Sequence, residues 1–395
     1  MTANSSKTTA VRFWNNLRRF GGRAAAGLFL LSAASAPAAL GQTWELTQVY
    51  GNSAGLIGQL AMTTLKSNVV VTAVTNSTNN LEVIAWNDTG TKLARTGSAT
   101  GDEVFPLWGV AITALDSSRV VTAAANWNTS DLELTVWKIS PSGSVAQQGK
   151  IGTGGVVTEV SIATLDSGRV VTAVQNSEGG LTLRVWEISS TGVITAENTY
   201  SVSSASEMAV MALNPSQVVT AYRNGKENLE LIAFSIDGSN KITRQGTVTS
   251  GAVAKISMGY WPPNIVTAVE TEKAGLDLQT WSVDASGDIA SVLSASGGSA
   301  FAVSLAMVPT APDTPLPFTL VETSKDDLSL VAWYMNPEYE GDIGEMAYYN
   351  GGSYIGPQLA IASEGPGRPY FVVTAVKNTS SDLEMKVWQL YQPTE

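Results

Sequence analysis

The sequence predicts an all-β chain built from seven like units, and three observations carry that prediction. A phrase seen most cleanly at 169–189, RVVTAVQNSEGGLTLRVWEIS, returns seven times with small edits. Each unit consists of short apolar runs of strand length, bounded by Gly, Asn, Asp and Ser. Two anchors keep step throughout, a Thr in one apolar run and an aromatic residue in the next. The Thr series is Thr72, Thr122, Thr172, Thr220, Thr267, Thr319 and Thr374, and the aromatic series is Trp86, Trp137, Trp186, Phe234, Trp281, Trp333 and Trp388. The aromatic follows its Thr by fourteen residues in every unit except the second, where it follows by fifteen, and the period between units runs from 47 to 55 residues. A period near 50 containing only strand-like runs is the mark of a repeat architecture.

Unit three shows the elements in order. Val157 to Leu165 is the first run, and Asp166 to Gly168 a turn. Arg169 to Gln175 and Leu181 to Ile188 are the second and third runs. Val193 to Tyr200 is the fourth, after the turn Ser189 to Gly192. The second and third runs are apolar at nearly every residue, as strands buried on both faces are. Before the third run stand Asn80, Asp131, Gly180, Asn228, Gly275, Asp327 and Asp382. These residue types tolerate positive φ, so hairpin geometry is expected to fix the position, with no calcium needed to explain its acids. The repeated Thr is expected to be a buried hydroxyl bonded to backbone.

Four antiparallel strands per unit and seven units point to a seven-bladed β-propeller in which each large aromatic packs on a neighbouring blade. After Leu383 to Leu390, the third strand of the seventh unit, too few residues remain for a fourth. The stretch Thr43 to Tyr50 (TWELTQVY) is available to complete blade seven and remove both open edges. The repeats resemble those of secreted bacterial propeller proteins carrying a VVTAV…N…L.L..W phrase, over about residues 43 to 395. The resemblance implies the architecture and brings no activity with it, and the signatures of WD40 repeats are missing.

Residues 1–41 are expected to be a secretory signal peptide and 42–395 the propeller. Arg12, Arg18, Arg19 and Arg23 precede the apolar stretch Ala24 to Ala36, with small residues at Ala39 and Gly41 to suit cleavage after Gly41. Thirteen apolar residues fall short of the roughly 20 that span a bilayer, so no membrane insertion is expected after cleavage. Arg18 and Arg19 before Phe20 leave twin-arginine export as an alternative to the ordinary route. The expected location is secreted or periplasmic.

The leader carries five of the 23 basic residues and none of the 34 acidic ones, leaving 18 basic against 34 acidic groups, a net charge of −16. Such a surface disfavours nucleic acid and anionic membranes. There is no Cys and no His, which removes Ser-His-Asp and Cys-His catalysis and the usual zinc, copper and haem ligands. No cofactor or metal is expected, and only carboxylates, Lys, Tyr, Ser and Thr remain for catalysis.

Ligands of such an architecture are sought where loops break the repeat, and unit two breaks it twice on one face. Its entry loop Gly101 to Leu107 carries Asp102, Glu103 and Phe105 and leads to Trp108, while its longer hairpin contains Trp127. Aromatic faces for sugar C–H groups and carboxylates for hydroxyls suggest a carbohydrate platform. Phe301 and Tyr354 add aromatics to the corresponding loops of blades six and seven.

Glu159 and Glu207 occupy equivalent positions on adjacent blades, with Gln59, Gly109, Ala254, Ala302 and Gln358 elsewhere, and paired carboxylates can hydrolyse glycosides. On the opposite face, Tyr260 to Pro263, the segment Pro309 to Pro317 and the loop Asn336 to Gly341 form an irregular, Pro-rich patch suited to a protein partner. The expected function is a secreted non-enzymatic module binding carbohydrate or an envelope polymer. A carboxylate-dependent glycan hydrolase or lyase and a protein-interaction scaffold are the alternatives.

Overall fold

A computed structural model describes residues 44–66, 68–308, 316–323, 327–336, 342–363 and 371–391, giving the backbone alone for 66, 154, 336, 342 and 351–363. The expected signal peptide at 1–41 and the loops at 309–315 and 337–341 lie outside the described residues.

Strands come in sets of four that follow the sequence repeat. Strand β1 (Glu45–Lys66) pairs through its second half with β2 (Val69–Asn76), which continues to β3 (Asn80–Asp88) and β4 (Leu93–Glu103). The second set is β5 (Val110–Ala114), β6 (Arg119–Ala125), β7 (Asp131–Ile139) and the first half of β8 (Val145–Asp166). The second half of β8 opens the third set, with β9 (Arg169–Asn176), β10 (Leu181–Ile188) and β11 (Ile194–Val202). Then come β12 (Ala205–Asn214), β13 (Gln217–Asn224), β14 (Asn228–Ile236) and the first half of β15 (Ile242–Trp261). The fifth set is the rest of β15 with β16 (Asn264–Thr271), β17 (Gly275–Val283) and β18 (Ile289–Ser299). The sixth is β19 (Ala302–Val308), β20 (Leu316–Glu322), β21 (Asp327–Asn336) and the first half of β22 (Asp342–Ser363). The second half of β22, β23 (Phe371–Asn378), β24 (Asp382–Tyr391) and the start of β1 make the last.

Every pairing is antiparallel, and the strands join into three hydrogen-bonded sheets of ten, seven and seven. The hydrogen bonding is therefore not continuous. It breaks after β4, β11 and β18, where short connections replace the long shared strands. In unit three the first run does not begin afresh at Val157, because β8 runs unbroken from Val145 and a register shift at Val157/Glu159 accompanies its change of partner. The expected terminal pairing is present, with Leu46 opposite Leu390 and Gln48 opposite Trp388. The first strands of successive sets touch in the order β1, β5, β8, β12, β15, β19, β22 and back to β1.

The core lies between sets, and the repeated aromatic is its centre. Trp137 packs with Val71, Val83 and Ala85 of the first set, and Trp186 with Val121 and Leu134 of the second. Trp86 packs with Val373, Leu383 and Met385 at the end of the chain. Each of these rings is fully buried.

A buried indole N–H needs an acceptor, and the repeated Thr supplies it. Trp86, Trp137, Trp186, Trp281, Trp333 and Trp388 donate Nε1–H to Oγ1 of Thr72, Thr122, Thr172, Thr267, Thr319 and Thr374 at 2.8–3.0 Å. The indole is a partner the expectation lacked, while the expected donation to backbone is present from Thr122 to Thr135 O and from Thr267 to Gln279 O, both at 3.4 Å. The spacing has a simple origin in the ladder. Thr72 lies opposite Ile84, and Trp86, two residues on, projects from the same face. Where the aromatic is Phe234, no indole exists and Thr220 Oγ1 is buried without a partner.

The hairpins between second and third strands also differ from expectation. Positive φ falls one residue earlier than the Asn, Asp and Gly series, at Asn79, Ser130, Gly179, Glu227, Ala274 and Ser381. The amide of Gly179 bonds to the carbonyl of Asn176, and the amide of Asn176 to that of Gly180. That is a three-residue loop, a turn followed by one left-handed residue. The next residue is held by its own amide, which Asn80, Gly180, Asn228 and Asp382 donate to the side-chain oxygen of Asn76, Asn176, Asn224 and Asn378.

Candidate functional site

The irregular features of the second set converge. Strand β4 continues through Glu103, so Asp102 and Glu103 belong to a strand and the break itself is Phe105 to Gly109. The break is pinned at its start: Phe105 donates its amide to Ala125 O at 3.0 Å, and Gln59 donates Nε2–H to Pro106 O at 2.8 Å. The hairpin is tied to the same strand, as Trp127 donates its amide to Glu103 O at 2.9 Å.

Between these two segments Phe105 stacks on Trp108 with centroids 3.8 Å apart and planes at 22°, and lies 4.7 Å from Trp127 at 39°. Phe105 and Trp108 are half-buried against a cluster that includes Val157 and Trp186. Trp127 remains 41% exposed, and Leu107 beside the trio is 82% exposed. The result is a rigid aromatic patch with one open edge.

The carboxylates do not join this patch as a pair. Asp102 forms an ion pair with Lys150 on β8. Glu133, buried below the hairpin and bonded to Asn126 Nδ2 at 3.1 Å, is raised in pKa by burial first and by the charge of Asp102 second. Asp102 thus belongs to a network with Lys150 and Glu133, leaving Glu103 as the acid available beside the patch. Phe301 is 45% exposed and donates its amide to Glu322 O at 2.8 Å, with no ring contact to the trio among the described residues. Tyr354 lies in β22, but its side chain is outside the described residues.

Glu159 and Glu207 do meet. Both oxygens of Glu159 accept backbone N–H groups of the neighbouring set, from Glu207 at 2.8 Å and Met208 at 2.7 Å. Glu207, at a φ of +49°, is paired to Lys255 at 2.6 Å. Burial, and then the charge of Glu207, push Glu159 up to about 7 against the pull of the two amides and of Lys255. Counting from the sequence had put Ala254 at the equivalent place. The shift that β8 carries beside its hairpin, at Thr164/Asp166, is absent from β15, so Lys255 stands there, opposite Glu270, as Glu159 is opposite Gln175. The acid pair is therefore a Glu–Glu–Lys row across three sets. No group of three or more His, Cys, Asp or Glu suited to a metal occurs among the described residues.

On the other face, Trp261 is only 5% exposed and packs with Leu305 and Val331. It is a core residue, which corrects its place in the expected protein-binding patch.

The sequence matches no protein-family profile and no curated protein. Among solved structures, the BP39L lectin from Burkholderia pseudomallei is similar, with a TM-score of 0.63 at 13% identity over 85% of this chain and 98% of that one. A protein from Lactobacillus plantarum is also similar, with a TM-score of 0.53 at 12% identity over 78% of this chain and 99% of that one. At such identity the likeness speaks for the fold alone. The chain is an all-β repeat protein of propeller-like architecture.

Proposed function

We propose that this chain is a secreted, non-enzymatic, seven-bladed β-propeller that binds carbohydrate or an envelope polymer through the patch of Phe105, Trp108 and Trp127. The circular contact order of the first strands and the packing of Trp86 on the last set support the ring. The observation that carries the binding reading is the trio itself. Phe105 stacks on Trp108 and meets Trp127 at a tilt, and Trp127 is 41% exposed. An indole face presents apolar area to sugar C–H groups at low entropic cost, and Glu103 and Asn128 beside it offer polar groups for hydroxyls. The lectin likeness supports the same class of ligand.

A glycan array tests it. The chain should bind a subset of glycans, and Trp127→Ala should weaken binding at least about tenfold, a loss of about 1.4 kcal/mol, with an unchanged melting midpoint. Unaltered binding by the variant removes the patch from the function.

A carboxylate hydrolase is the second reading, favoured by the raised Glu159 next to Glu207. Both Glu159 oxygens are occupied by backbone amides, which leaves its proton poorly placed for a substrate. New reducing ends released from a polysaccharide, and abolished by Glu159→Gln, would put this reading first.

A further inference from the structure

One position of the repeat separates two of the seven sets from the rest. Directly after the first Leu of the third strand stand Glu82, Glu133, Thr182, Glu230, Asp277, Ser329 and Glu384. Five are carboxylates, and several of these are visibly engaged. Glu82 accepts Arg95 Nη2 at 2.6 Å, Glu230 accepts Asn224 Nδ2 at 2.9 Å, and Glu384 pairs with Lys386 at 3.2 Å.

The third and sixth sets have a short hydroxyl instead, and a cleft between neighbouring sets opens beside each, though a more polar cleft also lies beside Glu384 in the last set. The cleft at Thr182 lies against Leu132 and Thr153 of the second set and measures about 180 Å³. The cleft at Ser329 lies against Leu276 and Gly298 of the fifth set and measures about 400 Å³.

The larger cleft has the make-up of a ligand site. Its floor is apolar, from buried Leu276, Val321 and Val331. Ser329 and Asn350 are cross-strand partners, as are Val331 and Tyr348, so the four share one face. Tyr348 stands at the rim with 64% of its surface exposed, a large ring with no core to fill. Glu345 and Thr323 complete the polar lining. The place of Val331 is taken by Arg184 in the third set and Lys386 in the last, and no cation lines this cleft among the described residues.

We infer that the cleft between the fifth and sixth sets, lined by Ser329, Tyr348 and Asn350, is a second ligand site that takes a neutral pyranose. An apolar floor and one exposed ring match a sugar's C–H face, and hydroxyl, amide and carboxylate groups match its hydroxyls. The volume lies in the range of small-ligand pockets, roughly 300 to 1,000 Å³. Among the described lining residues the charge is that of one acid, Glu345, with no cation, which selects against uronic and sulfated sugars. This rests on the carbohydrate reading for the class of ligand, but it uses different residues.

The test is a titration of the whole chain with methyl glycosides of neutral hexoses and of fucose, and with a methyl glucuronide as the acidic probe, followed by calorimetry and saturation-transfer NMR. Ser329→Glu restores the acid of the other sets and fills the cleft, and Tyr348→Ala removes the rim. Each should weaken one class of sites about tenfold or more while Trp127→Ala leaves that class intact. Tyr348 is exposed, so its variant keeps the fold even if Ser329→Glu does not. Loss of all binding in Trp127→Ala with none in Tyr348→Ala overturns the cleft and leaves the aromatic patch standing. Loss of all binding in Tyr348→Ala with none in Trp127→Ala supports the cleft and removes the patch. Failure of the wild-type chain to bind any neutral glycoside, or equal affinity for the glucuronide, overturns the inference.

Discussion

Replacing Thr172 with Val keeps the shape of the side chain but leaves the Trp186 Nε1–H buried with no acceptor. The bond lost is 2.9 Å long between two fully buried groups. Stranding a buried donor costs about 1–3 kcal/mol. With an m-value of about 3 kcal/mol/M in urea, that lowers the unfolding midpoint by roughly 0.3–1 M. The fourth set supplies an internal control. Thr220 Oγ1 has no partner, because Phe234 has no N–H to offer. Thr220→Val removes a desolvated orphan and should be neutral or stabilising by about 1 kcal/mol. A cycle on Thr172→Val and Trp186→Phe should show coupling of about 1 kcal/mol or more, since the pair changed together reproduces an apolar contact. Equal destabilisation by Thr172→Val and Thr220→Val would refute the reasoning, because it would make the methyl-for-hydroxyl change itself, and not the lost acceptor, the cause.

Three further outcomes are expected. Because the pKa of Glu159 in the fold, about 7, lies above its ordinary value of 4.5, the folded chain binds that proton more tightly than the unfolded one. The stabilisation is complete below about pH 4.5 and lost as pH rises through 7, by at most about 3 kcal/mol; Glu159→Gln should flatten melting midpoints across that window, and an unchanged slope would count against the shift. Gly149→Ala should destabilise, since an added Cβ collides with the carbonyl of Gly192 in the next set, whereas Gly152→Ala, with open space around it, should leave the urea midpoint in place. Leu46→Asp, which buries a charge where β1 pairs with β24, should cost several kcal/mol; an unaltered melt would show that the terminal pairing contributes little.

Much of the fold was legible because strands advertise themselves locally. The repeat, the four runs per unit and the strand that joins β24 all follow from apolar patterning and spacing, which depend only on neighbours in sequence. The Thr–Trp bond was legible too: an interval of fourteen, or fifteen in the second unit, places the two side chains on one face of a hairpin, and the single Phe stands where the pairing is absent. Phe105, Trp108 and Trp127 could be grouped because they interrupt two neighbouring connections of one repeat.

Other features depended on register and on distant partners. Lys255, not Ala254, joins Glu159 and Glu207 because β15 lacks the bulge that β8 carries beside its hairpin, and composition does not report bulges. Left-handed backbone at Glu227 and Ala274 escaped notice because loop closure imposed it on residues that do not prefer it. Trp261 looked like an exposed turn residue, yet the sixth set covers it.

By itself, then, the sequence determined the seven-fold strand repeat and the chemistry it lacks, since periodicity and residue inventory are properties of the chain alone. The tertiary structure decided which polar groups are already spent, as Asp102 is on Lys150, and where space is left between sets, as it is beside Ser329. Those depend on side chains tens of residues apart, whose distances exist only once the sheets have packed.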